Sequence, residues 1–198
     1  MTLAIGDAAP RRGNRVTRAL GRAALAVLGF RLEGEVPDVA SCVAIVAPHT
    51  SNWDFVVGLA GMLALGVDFR WIGKHTIFRF PFGGLFRWLG GIPVDRRSAE
   101  SVVEVVAEQF RVRPRLFLAI TPEGTRKPVP RWKSGFHRIA RRAGVPILPI
   151  SFDHARGVIM LWPTLSPSGN YAADLAALAS RFDGRMAKRP AGYLPPIV

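Results

Sequence analysis

Apolar and polar residues fall into two periods along this chain, and the two kinds of block take turns. Cys42-Val43-Ala44-Ile45-Val46-Ala47 is a short, β-branched apolar run of the kind that fills a strand buried on both faces. Runs at 69–73, 92–94, 116–120, 145–152 and 158–162 predict further strands, the run at 145–152 in spite of two prolines. Helical periodicity lies between them. Thr50, Ser51 and Asn52 are candidate caps for a helix reaching to about 65. Over 98–110, Glu100, Glu104 and Glu108 line one face while Val102, Val103, Val106 and Phe110 line another. A helix over 134–143 ends at Gly144, and another covers 172–182. Strands taking turns with helices predict an α/β fold: a three-layer αβα sandwich around a mixed, mainly parallel sheet.

The N-terminal part has its own pattern. Over 15–30, Arg15, Arg18 and Arg22 continue a row begun by Arg11, and Val16, Leu20, Ala23 and Val27 form a second stripe. Two readings of this basic amphipathic helix stand: one lying on an anionic membrane, and one packed on the domain with a solvated charged face. Residues 1–14 read as a loose leader, 15–185 as a single domain and 186–198 as a tail. The longest apolar stretches, 23–30 and 55–67, fall short of the roughly 18 residues a membrane span needs. The expectation is neither a span nor secretion.

Composition narrows the class. The chain has 198 residues, 49% of them hydrophobic and 21% charged, which excludes a disordered or collagen-like protein. Its single cysteine, Cys42, lies in the apolar run and excludes an internal disulfide framework. A net charge of +13 points to a polyanionic partner: nucleic acid, an anionic membrane surface or an acidic substrate.

Several designs are absent. No Gly-x-Ser-x-Gly elbow occurs, Gly66 and Gly73-Lys74 have the wrong spacing for a phosphate loop, and the histidines at 49, 75, 137 and 154 lack metal-ligand spacing. What remains is Pro48-His49-Thr50-Ser51-Asn52-Trp53-Asp54, between a buried strand and a helix. On one continuous helix residues five apart diverge, but across a strand-to-helix turn His49 and Asp54 can meet. An imidazole there would sit at the carboxyl end of the sheet with a carboxylate to fix its tautomer. A capping histidine and a first-turn acid would leave the same letters. Two further loops follow strands: Gly90-Gly91-Ile92-Pro93-Val94-Asp95-Arg96, and Thr121-Pro122-Glu123-Gly124-Thr125-Arg126-Lys127. Each joins a glycine, which permits close approach of the backbone, to an arginine whose donor fork suits phosphate oxygens.

Taken in order, His49-x4-Asp54, Gly-Ile-Pro-Val-Asp-Arg96, Pro-Glu123-Gly124-Thr125-Arg126 and Val145-Pro146-Ile147-Leu148-Pro149-Ile150 resemble the four blocks of the glycerolipid acyltransferases, typified by 1-acylglycerol-3-phosphate acyltransferase. The resemblance covers about 40–152. It implies transfer of an acyl group from acyl-CoA or acyl carrier protein, as co-substrate, to the hydroxyl of a lysophospholipid or glycerol-phosphate acceptor, with no cofactor and no metal. It implies that His49 is the general base and Asp54 its orienting partner. Arg96 would grip the acceptor phosphate, Glu123, Gly124, Thr125 and Arg126 would form the acceptor pocket, and Pro149 would lie beside the acyl chain. Amides near Thr50 to Asn52 are candidates for holding the oxyanion. Pro48, Ile92-Pro93-Val94 and Thr121 depart from the family's usual residues, which bears on the acceptor rather than the chemistry.

A peripheral place on the cytoplasmic face of a membrane fits both the resemblance and the charge. Phe78 to Trp88, where aromatics interleave with arginines, suits a membrane interface, and equally an element lining the site. The rivals are the same chemistry on a glycolipid or aminolipid, and a non-catalytic basic protein. The basic residues spread over loops and the first helix with no nucleic-acid motif, so no nucleic-acid partner is expected.

Overall fold

The structure, a computed structural model, describes residues 3–95 and 99–197. In chain order the elements are α1 (Arg15–Val27), β1 (Arg31–Gly34), β2 (Ser41–Ala47), α2 (Trp53–Leu65), β3 (Phe69–Lys74), α3 (Gly83–Trp88), β4 (Gly91–Val94), α4 (Ala99–Val112), β5 (Leu116–Ile120), α5 (Gly135–Ala143), β6 (Ile147–Asp153), β7 (Val158–Leu161) and α6 (Tyr171–Ala179). The strands form one sheet in the order β1-β7-β6-β2-β5-β3-β4. The pairs β6–β2, β2–β5, β5–β3 and β3–β4 are parallel, and so is β1–β7. Among the strand pairs of the described residues, β6–β7 alone is antiparallel, so β7 and β1 run against the other strands.

The sheet is therefore mixed and mainly parallel, as the sequence predicts, and helices cover both faces. Alternation along β2 shows why an all-apolar strand was required. Cys42 and Ala44 join a core with α1 and α2, while Val43, Ile45 and Ala47 join a second core with α4, α5 and α6. β1 escaped the reading because its sequence, Arg-Leu-Glu-Gly, carries one apolar residue and it lies at the sheet edge.

Both chain ends differ from expectation. Leu3 and Ala9 of the supposed loose leader are buried, Ile5 bridges to Val36, and the Asp68 amide donates to the Pro10 carbonyl. In the supposed tail, Ala187 and Tyr193 are buried in the second core, and the Ile197 amide donates to the Pro130 carbonyl. Apolar residues spaced too irregularly for a helix or strand left no periodic signal there.

α1 divides into three sectors. Gly21 and Leu25 are buried against α2, and a Cβ on Gly21 would fall 2.3 Å from the Ala64 main-chain nitrogen, so only glycine allows this crossing. Arg15, Arg18 and Arg22 flank a cleft with Ala64 and Leu65. The Val16, Leu20, Ala23 and Val27 stripe faces outward, with Val27 88% exposed. The helix thus docks on the domain and still leaves an apolar stripe uncovered.

Candidate active site

β2, β5 and β6 end at the same edge of the sheet because they run parallel, and their next residues meet there. After β2 come a cis Ala47–Pro48 peptide and then His49. Its main-chain N–H donates to Oε1 of Glu123, from the loop after β5, at 3.0 Å. Asp54, in the first turn of α2, is 1% exposed. Its Oδ2 accepts the amides of Thr50 and Ser51 at 2.9 and 2.8 Å, and its Oδ1 faces Nε2 of His154, beyond β6, at 2.7 Å. Nδ1 of His49 lies 3.3 Å from Oδ2, within ion-pair distance but out of line for a hydrogen bond. Burial would raise the Asp54 carboxyl, but His154, His49 and the Ser51 amide together outweigh it and hold it well below the usual carboxylate range.

This changes the helix start. Asn52 takes the N-cap position without a side-chain cap bond, and the candidate caps Thr50 and Ser51 instead give their amides to Asp54. A carboxylate two residues inside the cap reaches those amides better than a short hydroxyl can. For the same reason the Thr50 and Ser51 amides are not open to an oxyanion. The Asn52 amide is not engaged by this carboxylate.

Glu123 is buried, and its Oε2 has no hydrogen-bond partner. Burial raises its carboxyl to about 7, against the lowering effect of the His49 amide. Another unpartnered polar atom nearby comes from residues 189–193: the Tyr193 hydroxyl is buried, and burial followed by the Glu123 charge pushes it up. The Arg189 amide donates to Oγ1 of Thr50 at 3.2 Å, fastening residues 189–193 behind the His49 loop.

His49 and Asp54 open onto a pocket of about 1280 Å³. Phe55, Met62, Ile150, Phe152, Ile159 and Leu161 line its apolar part, and Gly124, Thr125, Arg126, Lys133 and Lys74 its polar part. Gly124 has φ +67, and a Cβ there would lie 3.0 Å from the Lys133 side chain, so glycine serves both the turn and the close approach. Arg126 is exposed. The structure therefore brings together His49, Asp54, Glu123, Gly124, Thr125 and Arg126. Arg96 lies outside the described residues.

Pro149 is not in this wall: it is buried in β6 opposite Ile45, and strand alternation turns its neighbours Ile150 and Phe152 to the pocket instead. His154 and Lys133 are functional-site residues that the sequence motifs do not point to. No local pattern places either beside the site. A second buried pair, His137 Nε2 to Asp174 Oδ2 at 2.7 Å, ties α5 to α6 on the opposite face of the sheet. Among the described residues no group of three or more His, Cys, Asp or Glu is arranged to hold a metal ion.

A family model described as acyltransferase matches residues 31–153. The chain is 30% identical to the 1-acyl-sn-glycerol-3-phosphate acyltransferase of Salmonella typhimurium over 123 residues, which are 59% of this chain and 49% of that protein. It is 30% identical to the protein of the same name from Escherichia coli over 134 residues, 63% of this chain and 53% of that one. The chain thus spans about half the length of these curated relatives. The crystal structure of the 1-acyl-sn-glycerophosphate acyltransferase PlsC from Thermotoga maritima has the same fold, with a TM-score of 0.55 at 18% identity, covering 81% of this chain and 71% of that one.

Proposed function

The chain belongs to the acyltransferase family, and from that premise we propose that it moves a fatty acyl group from acyl-CoA or acyl carrier protein to the hydroxyl of a lysophospholipid, with 1-acylglycerol-3-phosphate as the acceptor. The observation that carries the reading is the His49–Asp54 pair opening onto a pocket with an apolar wall and a cationic rim. An acyl chain needs the wall and a phosphate the rim.

Ionised Asp54 only accepts hydrogen bonds, so it favours the proton on Nδ1 of His49 and leaves the Nε2 lone pair for the acceptor hydroxyl. The hydroxyl oxygen attacks the thioester carbonyl carbon while its proton passes to Nε2, so no free alkoxide forms. When the tetrahedral intermediate collapses, the C–S bond breaks and the departing thiolate takes the proton back from His49. Asp54 stabilises the transient imidazolium. Glu123 holds the His49 main chain in register through its amide, and Arg126, together with Arg96, binds the acceptor phosphate. The Asn52 amide serves the oxyanion. No metal or cofactor enters this scheme.

The lipid substrates are reached from a membrane surface. No helix among the described residues is long and apolar enough to cross a membrane. The outward stripe of α1 is one exposed apolar surface, and the aromatic segment is another, tied to the stretch before α1 by Arg12, whose guanidinium sits 5.4 Å over the Trp88 ring. Beyond it Phe80 is 98% exposed, and Phe82 is exposed as well. Apolar side chains edged by arginines suit the headgroup boundary of an anionic bilayer. The cytoplasmic face is the side on which acyl-CoA and acyl carrier protein are at hand.

The test is incubation of purified protein with labelled acyl-CoA and a panel of lysolipids, followed by mass spectrometry. Diacylglycerol phosphate from the lysophosphatidate arm is the expected product. Product only from a glycolipid or aminolipid arm would replace the acceptor, and no thioester release in any arm would overturn the reading.

A further inference from the structure

We infer that His154 is a positioning residue for the proposed reaction: by holding Oδ1 of Asp54, it keeps Oδ2 turned to the His49 loop. The inference rests on the reading of His49 as base and Asp54 as its partner. It adds a residue that none of the four sequence blocks contains.

The argument begins with the division of labour on the carboxylate. Oδ2 takes the Thr50 and Ser51 amides and faces Nδ1 of His49, while Oδ1 takes Nε2 of His154 at 2.7 Å. A carboxylate can turn about its Cβ–Cγ bond, and swapping its oxygens would change nothing chemically. What matters is the plane: the carboxylate is flat and its oxygens turn together, and amides on one oxygen alone leave the group some freedom to rock about that bond. A donor fixed on the second oxygen removes that freedom. His154 is such a donor, since ionised Asp54 offers no hydrogen and the one between them must sit on Nε2 of His154.

His154 is itself held. Its main-chain N–H donates to the Met186 carbonyl at 2.8 Å. Its ring meets the edge of Phe30 at 5.1 Å and 87°. Its side chain is 8% exposed, so water does not compete freely for Nε2. The parallel register of β2 and β6, with Ala47 opposite Ser151, brings His49 and His154 to the same edge from adjacent strands. His154 is not among the residues lining the large pocket, which separates it from the groups that touch substrate. His49 reaches Oδ2 at 3.3 Å without alignment. Small rotations of carboxylate or ring decide whether that contact becomes a hydrogen bond, and this gives a fixed plane its kinetic weight.

The experiment compares wild type with His154→Phe, which keeps a ring against Phe30 but deletes the donor, and His154→Gln, whose amide nitrogen can replace Nε2. Expected for His154→Phe is a kcat lower by roughly ten- to a hundredfold, with KM for donor and acceptor within about twofold, and recovery of most of the rate by His154→Gln. Imidazole 15N spectra supply a readout independent of activity. Wild-type His154 should carry its proton on Nε2 and His49 on Nδ1, and His154→Phe should shift His49 to a mixture of tautomers. A wild-type His154 with a bare Nε2 overturns the inference, even if His154→Phe does not fold. So does a His154→Phe protein with wild-type kcat and an unchanged His49 spectrum. If the spectra change as expected while no protein transfers acyl groups, the proposed function fails and the positioning role of His154 stands.

Discussion

The main-chain N–H of His49 donates to Oε1 of Glu123 at 3.0 Å, joining the loop after β2 to the loop after β5. The other oxygen of Glu123 is buried without a partner, and this raises its carboxyl to about 7. A raised acid binds more protons folded than unfolded between its ordinary value of 4.5 and about 7. Stability from this group therefore falls as pH rises through that window, by about 3 kcal/mol in total. Glu123→Gln keeps the acceptor for the His49 amide and has no charge to lose. Denaturant titrations at pH 5 and pH 8 should show the variant gaining on wild type at the higher pH. Parallel curves at both would show that Glu123 stays ionised in the folded protein.

His49→Ala should fold normally, since the ring is not part of either apolar core, and should lose at least about a hundred- to ten-thousandfold in acyl transfer. Asp54→Asn should lose a comparable factor, and stability of about 1–3 kcal/mol besides, because its single amide oxygen cannot serve both the Thr50 and Ser51 amides and the His154 donor. Thioester release and thermal melts on both variants check this. A His49→Ala protein that still transfers acyl groups removes the general-base role.

Gly124→Ala should cost about 1–2 kcal/mol, since φ +67 is a left-handed conformation that a side chain resists. The new methyl also presses on Lys133, so the acceptor KM should rise while the donor KM holds. Steady-state kinetics with each substrate varied in turn separate the two. Equal changes in both constants would take the acceptor phosphate away from this loop.

Phe80→Ser and Val27→Ser, at the two most exposed apolar positions of the proposed membrane face, should each weaken binding to anionic vesicles by about tenfold without lowering Tm. Co-sedimentation with phosphatidylglycerol vesicles measures it, and added salt should weaken the wild type as well. Undiminished binding by the double variant would place the membrane contact elsewhere.

Much of this site was legible because strand-to-helix turns act locally. The apolar run at 42–47 reads as a strand buried on both sides, which lets His49 emerge at its carboxyl end with Asp54 able to meet it across the turn. The glycine and arginine after β5 sit where chain order put them. The same local logic misjudged the helix start, because it ranked hydroxyl caps above a carboxylate whose reach depends on the turn's shape. The resemblance alone put Pro149 beside the acyl chain, whereas alternation along β6 turns Ile150 and Phe152 to the pocket and Pro149 away from it.

The sequence by itself determined the layered α/β class, the mainly parallel sheet and the loops that carry His49, Glu123 and Arg126, since each follows from periodicity and from chemistry within a few residues. Tertiary structure alone decided that His154, a hundred residues from Asp54, holds its second oxygen. It alone folded residues 186–197 behind Thr50 and left one stripe of α1 facing outward. Such contacts depend on which strands become neighbours and in what register, and that is settled by packing the whole core rather than by any segment's own pattern.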